Sequence, residues 1–245
     1  MNAGPTGATA LRVLRQLRRD PRTVALIVVV PCVLIFLVDQ LFVDQPQVFQ
    51  QVGVPLLGLF PLISMFLVTS ITMLRERTGG TLERLLTLPL AKLDILLGYA
   101  IAFAAFATLQ AVVVSLVGFG LLDLEVVNPT VLVIALAVAN AILGMALGLF
   151  LSAFARTEFQ AVQFMPAFIL PQILLCGLLV PRDEMAEWLQ VVSALMPFTY
   201  AYDALSRAAD DPTLGARFWF DVVVVAGVTL AALALGAATL RRRTP

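Results

Sequence analysis

Six long apolar runs constrain this chain more than any other feature. An α-helix needs about 20 mostly apolar residues to cross a hydrocarbon core of roughly 30 Å. Residues 24–43, 52–74, 95–122, 126–155, 159–181 and 222–240 reach that length. Asp39 interrupts the first run late, and the third and fourth carry no charge at all. Barrel strands would alternate in polarity, whereas these runs are continuous. Soluble domains are roughly 45–50% apolar and about 25% charged; this chain is 60% hydrophobic and 13% charged. The expected fold is all-α, a polytopic membrane protein with six transmembrane helices in one domain over 1–245.

The connections assign sides. The N-terminal segment, the 75–92 loop, the 156–158 turn and the tail together hold 13 of the 16 basic residues. The other three, Arg182, Arg207 and Arg217, fall in the last long loop. Basic residues are retained in the cytoplasm, so both termini and the 75–92 loop are expected there, in a multi-pass plasma-membrane protein.

Before the first run, "ALRVLRQLRRDPR" places Leu11, Leu14 and Leu17 at helical spacing and Arg12, Arg15 and Arg19 on another stripe. Such a basic amphipathic helix lies along a membrane surface, and Pro21 ends it. A cleavable signal peptide is the competing reading; the apolar run is too long for one and no A-x-A pattern follows. The outer loop, 182–221, holds both tryptophans, Trp188 and Trp219, with Tyr200 and Tyr202. Its charge-free run 188–202 is too short to span and is broken by Pro197. It reads as a re-entrant hairpin of short helices or as a small cap packed on the helices.

Catalytic chemistry is not visible in the residues. A P-loop needs G-x-x-x-x-G-K-[ST], and Lys92, the only lysine, follows "LTLPLA". With no histidine and two separated cysteines, Cys32 and Cys176, no metal site is expected. Proton-coupled carriers depend on intramembrane ionisable groups, but these runs carry amides: Gln110, Asn140, Gln163 and Gln172. Asp39 and Asp94 fall at run ends, where the interface solvates them. Gln163 and Gln172 either line a path or bond between helices. Gly144 and Gly148 in "NAILGMALGLFLSAFA" have the G-x-x-x-G spacing of close helix packing.

The charged stretch "RERTGGTLERLLTLPLAK" lies between the second and third runs. Gly79 and Gly80 end the second helix, Thr81 caps a short new one, and Glu83 sits where the helix dipole favours an anion. Leu82, Leu85 and Leu86 form an apolar face and Pro89 stops it. This short cytoplasmic helix suits a partner's groove or, alternatively, the lipid headgroups.

Two stretches carry a resemblance. "MLRERTGGTLERLLTLPLAKLDILLGY" resembles the cytoplasmic loop of type 2 ABC transporter permeases. "FARTEFQAVQFMPAFILPQILLCGLLVPRDEMAEWLQVVSALMPFTYAYDALSR" is similar to that family's run from fifth span into outer loop, with the drug-efflux branch of daunorubicin-resistance type nearest. The resemblance covers almost the whole chain. It implies an elbow helix at 1–23 and two six-span subunits, identical or paralogous. It also implies two ATPase subunits binding ATP and Mg, no cofactor being held by this chain. The ATPase would engage a coupling helix in the 75–94 loop through Glu76, Gly80, Thr81, Leu82, Glu83, Arg84 and Leu85. Arg156 and Glu158 would form a second contact, and the elbow arginines Arg15 and Arg19 would reach the same partner. Gln163, Phe164 and Gln172 would line the path of a hydrophobic or amphipathic small molecule, drug-like or lipid-like, moved outward; nucleic acid is not an expected partner. The alternative is a membrane scaffold or regulatory subunit that moves nothing.

Overall fold

The computed structural model describes residues 3–80 and 92–239, all of its regular structure being helical. Ten α-helices are described: α1 Ala3–Arg18, α2 Pro21–Leu41, α3 Pro46–Thr78, α4 Lys92–Leu121, α5 Thr130–Leu151, α6 Glu158–Phe164, α7 Leu170–Leu175, α8 Glu187–Ala194, α9 Pro197–Asp210 and α10 Ala216–Ala238. Five contain segments long and apolar enough to cross a membrane: Val24–Leu41, Pro46–Thr78, Asp94–Leu121, Thr130–Leu151 and Ala216–Ala238.

The stretch expected as a fifth span, 159–181, runs instead as α6, a π-helical turn Met165–Ile169, then α7. Pro166 and Pro171 each lack the N–H that an α-ladder needs, and the wider π turn absorbs the mismatch. Gly177, at φ +106, then turns the chain. Three other bounds shift. The run 52–74 lies in a longer helix, Pro46–Thr78, which tolerates Pro55 and Pro61 internally. The run 126–155 is helical only from Thr130 to Leu151, because Pro129 precedes the helix and a turn over 152–154 follows it. The last helix begins at Ala216, so Arg217, Trp219 and Asp221 belong to it and not to the preceding loop.

α3 and α5 form the centre of the fold. A Cβ built on Gly144 would lie 2.0 Å from the Leu62 carbonyl oxygen, and one on Gly148 would lie 2.5 Å from that of Phe66. The G-x-x-x-G pair therefore admits the backbone of α3 within one chain. Around this seam, Leu59, Leu62, Phe66, Leu143 and Ala146 are buried with Phe198 and Ala201 of α9. Amides tie the neighbouring helices to the two that form the seam. Gln110 Nε2 donates to the Ile27 carbonyl at 2.7 Å and to Ser64 Oγ. Asn140 Nδ2 donates to the Ala201 carbonyl at 3.1 Å. Buried, such bonds hold register, because an unmet polar group in hydrocarbon is costly.

α1 packs lengthwise on the start of α4. Ala10 and Val13 are buried with Tyr99 and Phe103, and Gly98 leaves room for Thr9, whose side chain would lie 2.5 Å from a Cβ placed there. Part of the apolar face expected to lie in headgroups is thus covered by protein, while Leu11 stays 48% exposed. At the opposite end of the bundle, Val127 N donates to the Ala209 carbonyl at 2.8 Å, and Asn128 Nδ2 donates to the Asp211 carbonyl at 2.7 Å. These bonds close the α4–α5 connection onto the end of α9.

Candidate functional site: a polar clamp at the end of α3

The last turns of α3 carry Arg75, Glu76 and Arg77 in succession. Neighbours on a helix point about 100° apart, so three consecutive charges cannot share one face. Arg75 turns toward α6 and makes a two-pronged pair with Glu158, Nε to Oε1 at 2.8 Å and Nη2 to Oε2 at 2.8 Å. Glu76 turns the other way and is buried, 6% exposed. It accepts a hydrogen bond of 2.8 Å from the Tyr99 hydroxyl of α4. Arg12 of α1 donates to that same hydroxyl and lies 3.7 Å from Glu76 Oε2, its guanidinium carbon 5.5 Å from the centre of the Tyr99 ring.

Two adjacent residues therefore fasten the end of α3 sideways to α1, α4 and α6. The helix ends two residues later. Gly79 N donates to the Arg75 carbonyl at 2.8 Å, and Gly80, at φ +71, takes the left-handed turn that glycine adopts without strain.

The expected contact residues separate accordingly. Thr81, Leu82, Glu83, Arg84 and Leu85 lie outside the described residues. Gly80 ends α3 as a turn. Glu76 is committed inward, its carboxylate accepting from Tyr99 and lying 3.7 Å from Arg12. Glu158 is exposed but already paired, and the Arg75 guanidinium holds its carboxyl below the usual range. Arg156 is exposed beside it. Thr157 caps α6, accepting from Gln160 N at 3.2 Å, and the Gln160 side chain accepts from Arg156 N at 2.8 Å. This capping box fixes the short turn. Arg15 and Arg19 are exposed on α1. The sequence reading missed Arg12, Arg75 and Tyr99 as partners.

The expected path residues also divide. Phe159, Val162, Gln163, Pro166, Leu170 and Leu174 form one exposed stripe along α6, the π turn and α7. Phe164 is half-buried against Leu74, Ala155 and Ala161. Gln172 is buried, 1% exposed, and donates to the Phe168 carbonyl at 2.9 Å in its own helix, so it lies off the stripe. Phe168 in turn stacks on Phe66 of α3, ring centres 6.1 Å apart.

A second polar cluster sits at the far end. Arg182 pairs with Asp203 at 2.5 Å, and Arg207 and Arg217 both reach Asp221, at 3.2 and 3.8 Å. Asp221 is fully buried, and burial raises the Asp203 carboxyl to about 6 despite the opposing pull of Arg182. Asp94, expected to be solvated, is buried as well, 5% exposed.

Comparison with known proteins supplies the family. The chain is 30% identical over 148 residues to the probable multidrug ABC transporter permease YbhR of Escherichia coli (strain K12), covering 60% of this chain and 40% of YbhR. It is 26% identical over 164 residues to the linearmycin resistance permease protein LnrN of Bacillus subtilis (strain 168), covering 67% of this chain and 41% of LnrN. It is 26% identical over 138 residues to the ABC transporter G family member 20 of Dictyostelium discoideum, covering 56% of this chain and 19% of that protein. The aligned part thus spans about two fifths of each bacterial relative. Residues 6–208, from α1 through nearly all of α9, match the ABC-2 type transporter, and the chain belongs to that family of membrane permeases.

Proposed function

We propose that this chain is the membrane-spanning subunit of an ATP-driven exporter, moving drug-like or lipid-like amphipathic molecules outward with a separate ATPase. The printed names of YbhR and LnrN, a multidrug permease and a linearmycin resistance permease, support that class of cargo. In this reading the segment from α6 to α7 is a sixth crossing, α1 is an elbow helix on the cytoplasmic surface, and 182–221 holds the outer re-entrant helices. Two such subunits face each other across the exposed stripe of Phe159, Gln163 and Leu170. Two ATPase chains hold ATP and Mg and press on the 81–88 segment, with both termini on the same, cytoplasmic side of a bacterial plasma membrane.

The observation that carries the reading is the clamp itself. Arg75 and Glu76 stand six and five positions before Thr81 in the sequence and fasten the end of α3 to three other helices. A push there moves α1, α4 and α6 together and not α3 alone. The stripe on α6 and α7 suits the cargo: it is apolar apart from Gln163, so it discriminates by shape and not by hydrogen-bond pattern.

The test is co-purification with a co-expressed candidate ABC ATPase, then reconstitution. Glu83→Arg is expected to weaken the complex or to uncouple hydrolysis from transport. Complex formation and cargo-stimulated hydrolysis that both survive this change unaltered would refute the coupling assignment.

A further inference from the structure

One flank of α1 and the residue after it, apart from Arg12, serves neither the packing on α4 nor the clamp. Ala8, Leu11, Arg12, Arg15, Gln16 and Arg19 line a cleft of about 570 Å³. Thr9, Ala10 and Val13, on the adjoining face, are buried against α4, which fixes this flank toward the outside of the bundle.

The charges on the flank are unevenly used. Arg12 is committed to Tyr99 and Glu76. Arg15 and Arg19 are exposed, and no described carboxylate pairs with either. Of the nearby acids, Glu76 is buried behind Arg12, and Asp20 lies within electrostatic reach of Arg75. The described lining holds no acid. Arg15 and Arg19 thus stand four positions apart beside Leu11, which is 48% exposed, with no ion pair to either among the described residues.

That combination matches one kind of molecule. A phosphodiester supplies the negative charge that two guanidiniums grip with directed N–H donors, and an acyl chain supplies cover for the leucine. An acidic protein surface would satisfy the arginines and leave Leu11 wet. α1 also lies against α4, a helix long and apolar enough to cross a membrane, which sets the cleft at the level where headgroups begin. We propose that this cleft seats the phosphate of an anionic phospholipid, held by Arg15 and Arg19, with Leu11 against the first methylenes of its chain. The inference needs α1 to lie at the membrane surface; it does not need an ATPase to dock nearby.

Native mass spectrometry of the purified full-length chain tests it, titrated with phosphatidylglycerol or with phosphatidylcholine of the same acyl chains. Each basic side chain near an anionic surface contributes about 1 kcal/mol, about fivefold in retention. Phosphatidylglycerol is therefore expected to be held in preference to phosphatidylcholine. Arg15→Gln with Arg19→Gln should bring the two lipids level, while Arg15→Lys with Arg19→Lys keeps most of the preference and controls for folding. Equal retention of the two lipids by the unaltered chain overturns the proposal, as does undiminished phosphatidylglycerol on the glutamine variant. Displacement of the lipid by millimolar inorganic phosphate would mean that the cleft reads a free anion, and also overturns it. Loss of ATPase co-purification in the glutamine variant with lipid retention intact would assign the arginines to a protein partner instead.

Discussion

Arg75 and Glu158 meet through two parallel hydrogen bonds, both 2.8 Å, and join the end of α3 to the start of α6 across 83 positions of sequence. Both side chains are exposed, so the pair adds little to stability; under the proposed function its part is to make the two helices move together. Arg75→Glu or Glu158→Arg alone is expected to leave folding intact and lower the transport obtained per ATP hydrolysed. The double exchange should restore it. Reconstituted vesicles with matched hydrolysis and uptake assays give the ratio. Rescue by the exchanged pair separates a transmitting contact from a surface ornament.

The buried side of the clamp behaves differently. Removing Arg12 leaves the Glu76 carboxylate inside the fold without its cation, a loss of about 3–5 kcal/mol for a fully buried pair and less here because Arg12 is part-exposed. Tyr99→Phe removes the hydroxyl that donates to Glu76 and accepts from Arg12 and leaves both without it, about 1–3 kcal/mol. Glu76→Gln keeps an acceptor for Tyr99 and frees Arg12 toward solvent. The expected order of destabilisation is Arg12→Ala, then Tyr99→Phe, then Glu76→Gln. Thermal unfolding in one detergent measures it, and a reversed order would mean that the contact of Arg12 with Glu76 is not what holds α1 to the end of α3.

The seam between α3 and α5 sets a steric prediction. A methyl on Gly144 would meet the Leu62 backbone at 2.0 Å, and one on Gly148 the Phe66 backbone at 2.5 Å. Backbone atoms of a packed helix cannot step aside singly, so the helices must part. Gly144→Ala is expected to cost about 1–3 kcal/mol or more, Gly148→Ala less. Gly227→Ala, in open space, should cost nothing. Monodispersity on gel filtration and the thermal midpoint rank the three.

How much of this was legible beforehand depends on the range of each interaction. The crossing helices are written in local, continuous apolarity, so five of the six expected runs and their rough bounds came from composition along the chain, while 159–181 did not form one long helix. The π turn has a local cause too, Pro166 and Pro171, but transmembrane helices often absorb proline without breaking, so the residues alone did not decide it. Glu76 is the instructive case. Its partners, Tyr99 and Arg12, lie 23 and 64 positions away, and nothing near it in sequence announces them. The available clue was geometric: Arg75, Glu76 and Arg77 fall on three faces of one helix end, so one of them had to point inward. The charged stretch was read as a surface contact, whereas its first acid is an internal anchor.

Asp203 carries a pH prediction with an unusual sign. Burial lifts its carboxyl to about 6, above the roughly 3.9 of an exposed aspartate. Between those values the folded chain holds a proton that the unfolded chain releases, so stability from this group is full below about 4 and declines as pH rises through 6. Asp203→Asn removes the titration and should flatten the dependence of the thermal midpoint on pH between 4.5 and 7. An unchanged slope would assign the dependence to other groups. Loss of the Arg182 pair in this variant should also loosen the 176–184 turn, seen as faster amide exchange there.

The π turn at Met165–Ile169 divides a helix whose two halves are anchored to different neighbours. The α6 half is tied to α3 through Glu158 and Arg75, and the α7 half reaches the far helices through the Ser193 hydroxyl, which donates to the Leu175 carbonyl at 2.7 Å. A wide turn has weaker hydrogen-bond geometry than an α-helix, so it is where the segment bends first. Replacing Pro166 and Pro171 together by alanine supplies two missing N–H donors and removes the clash with the preceding turn, gaining up to about 3 kcal/mol per site where the helix straightens. Straightening also rotates Leu170 and Leu174 out of line with Phe159 and Gln163, because closing a π turn shifts the register by about one residue, or 100°. The double variant is therefore expected to be more stable and less active, with slower amide exchange over 164–172 and transport reduced at unchanged ATPase co-purification. A variant gaining stability while keeping full transport would mean that the bend is a consequence of the prolines and has no part in the cycle.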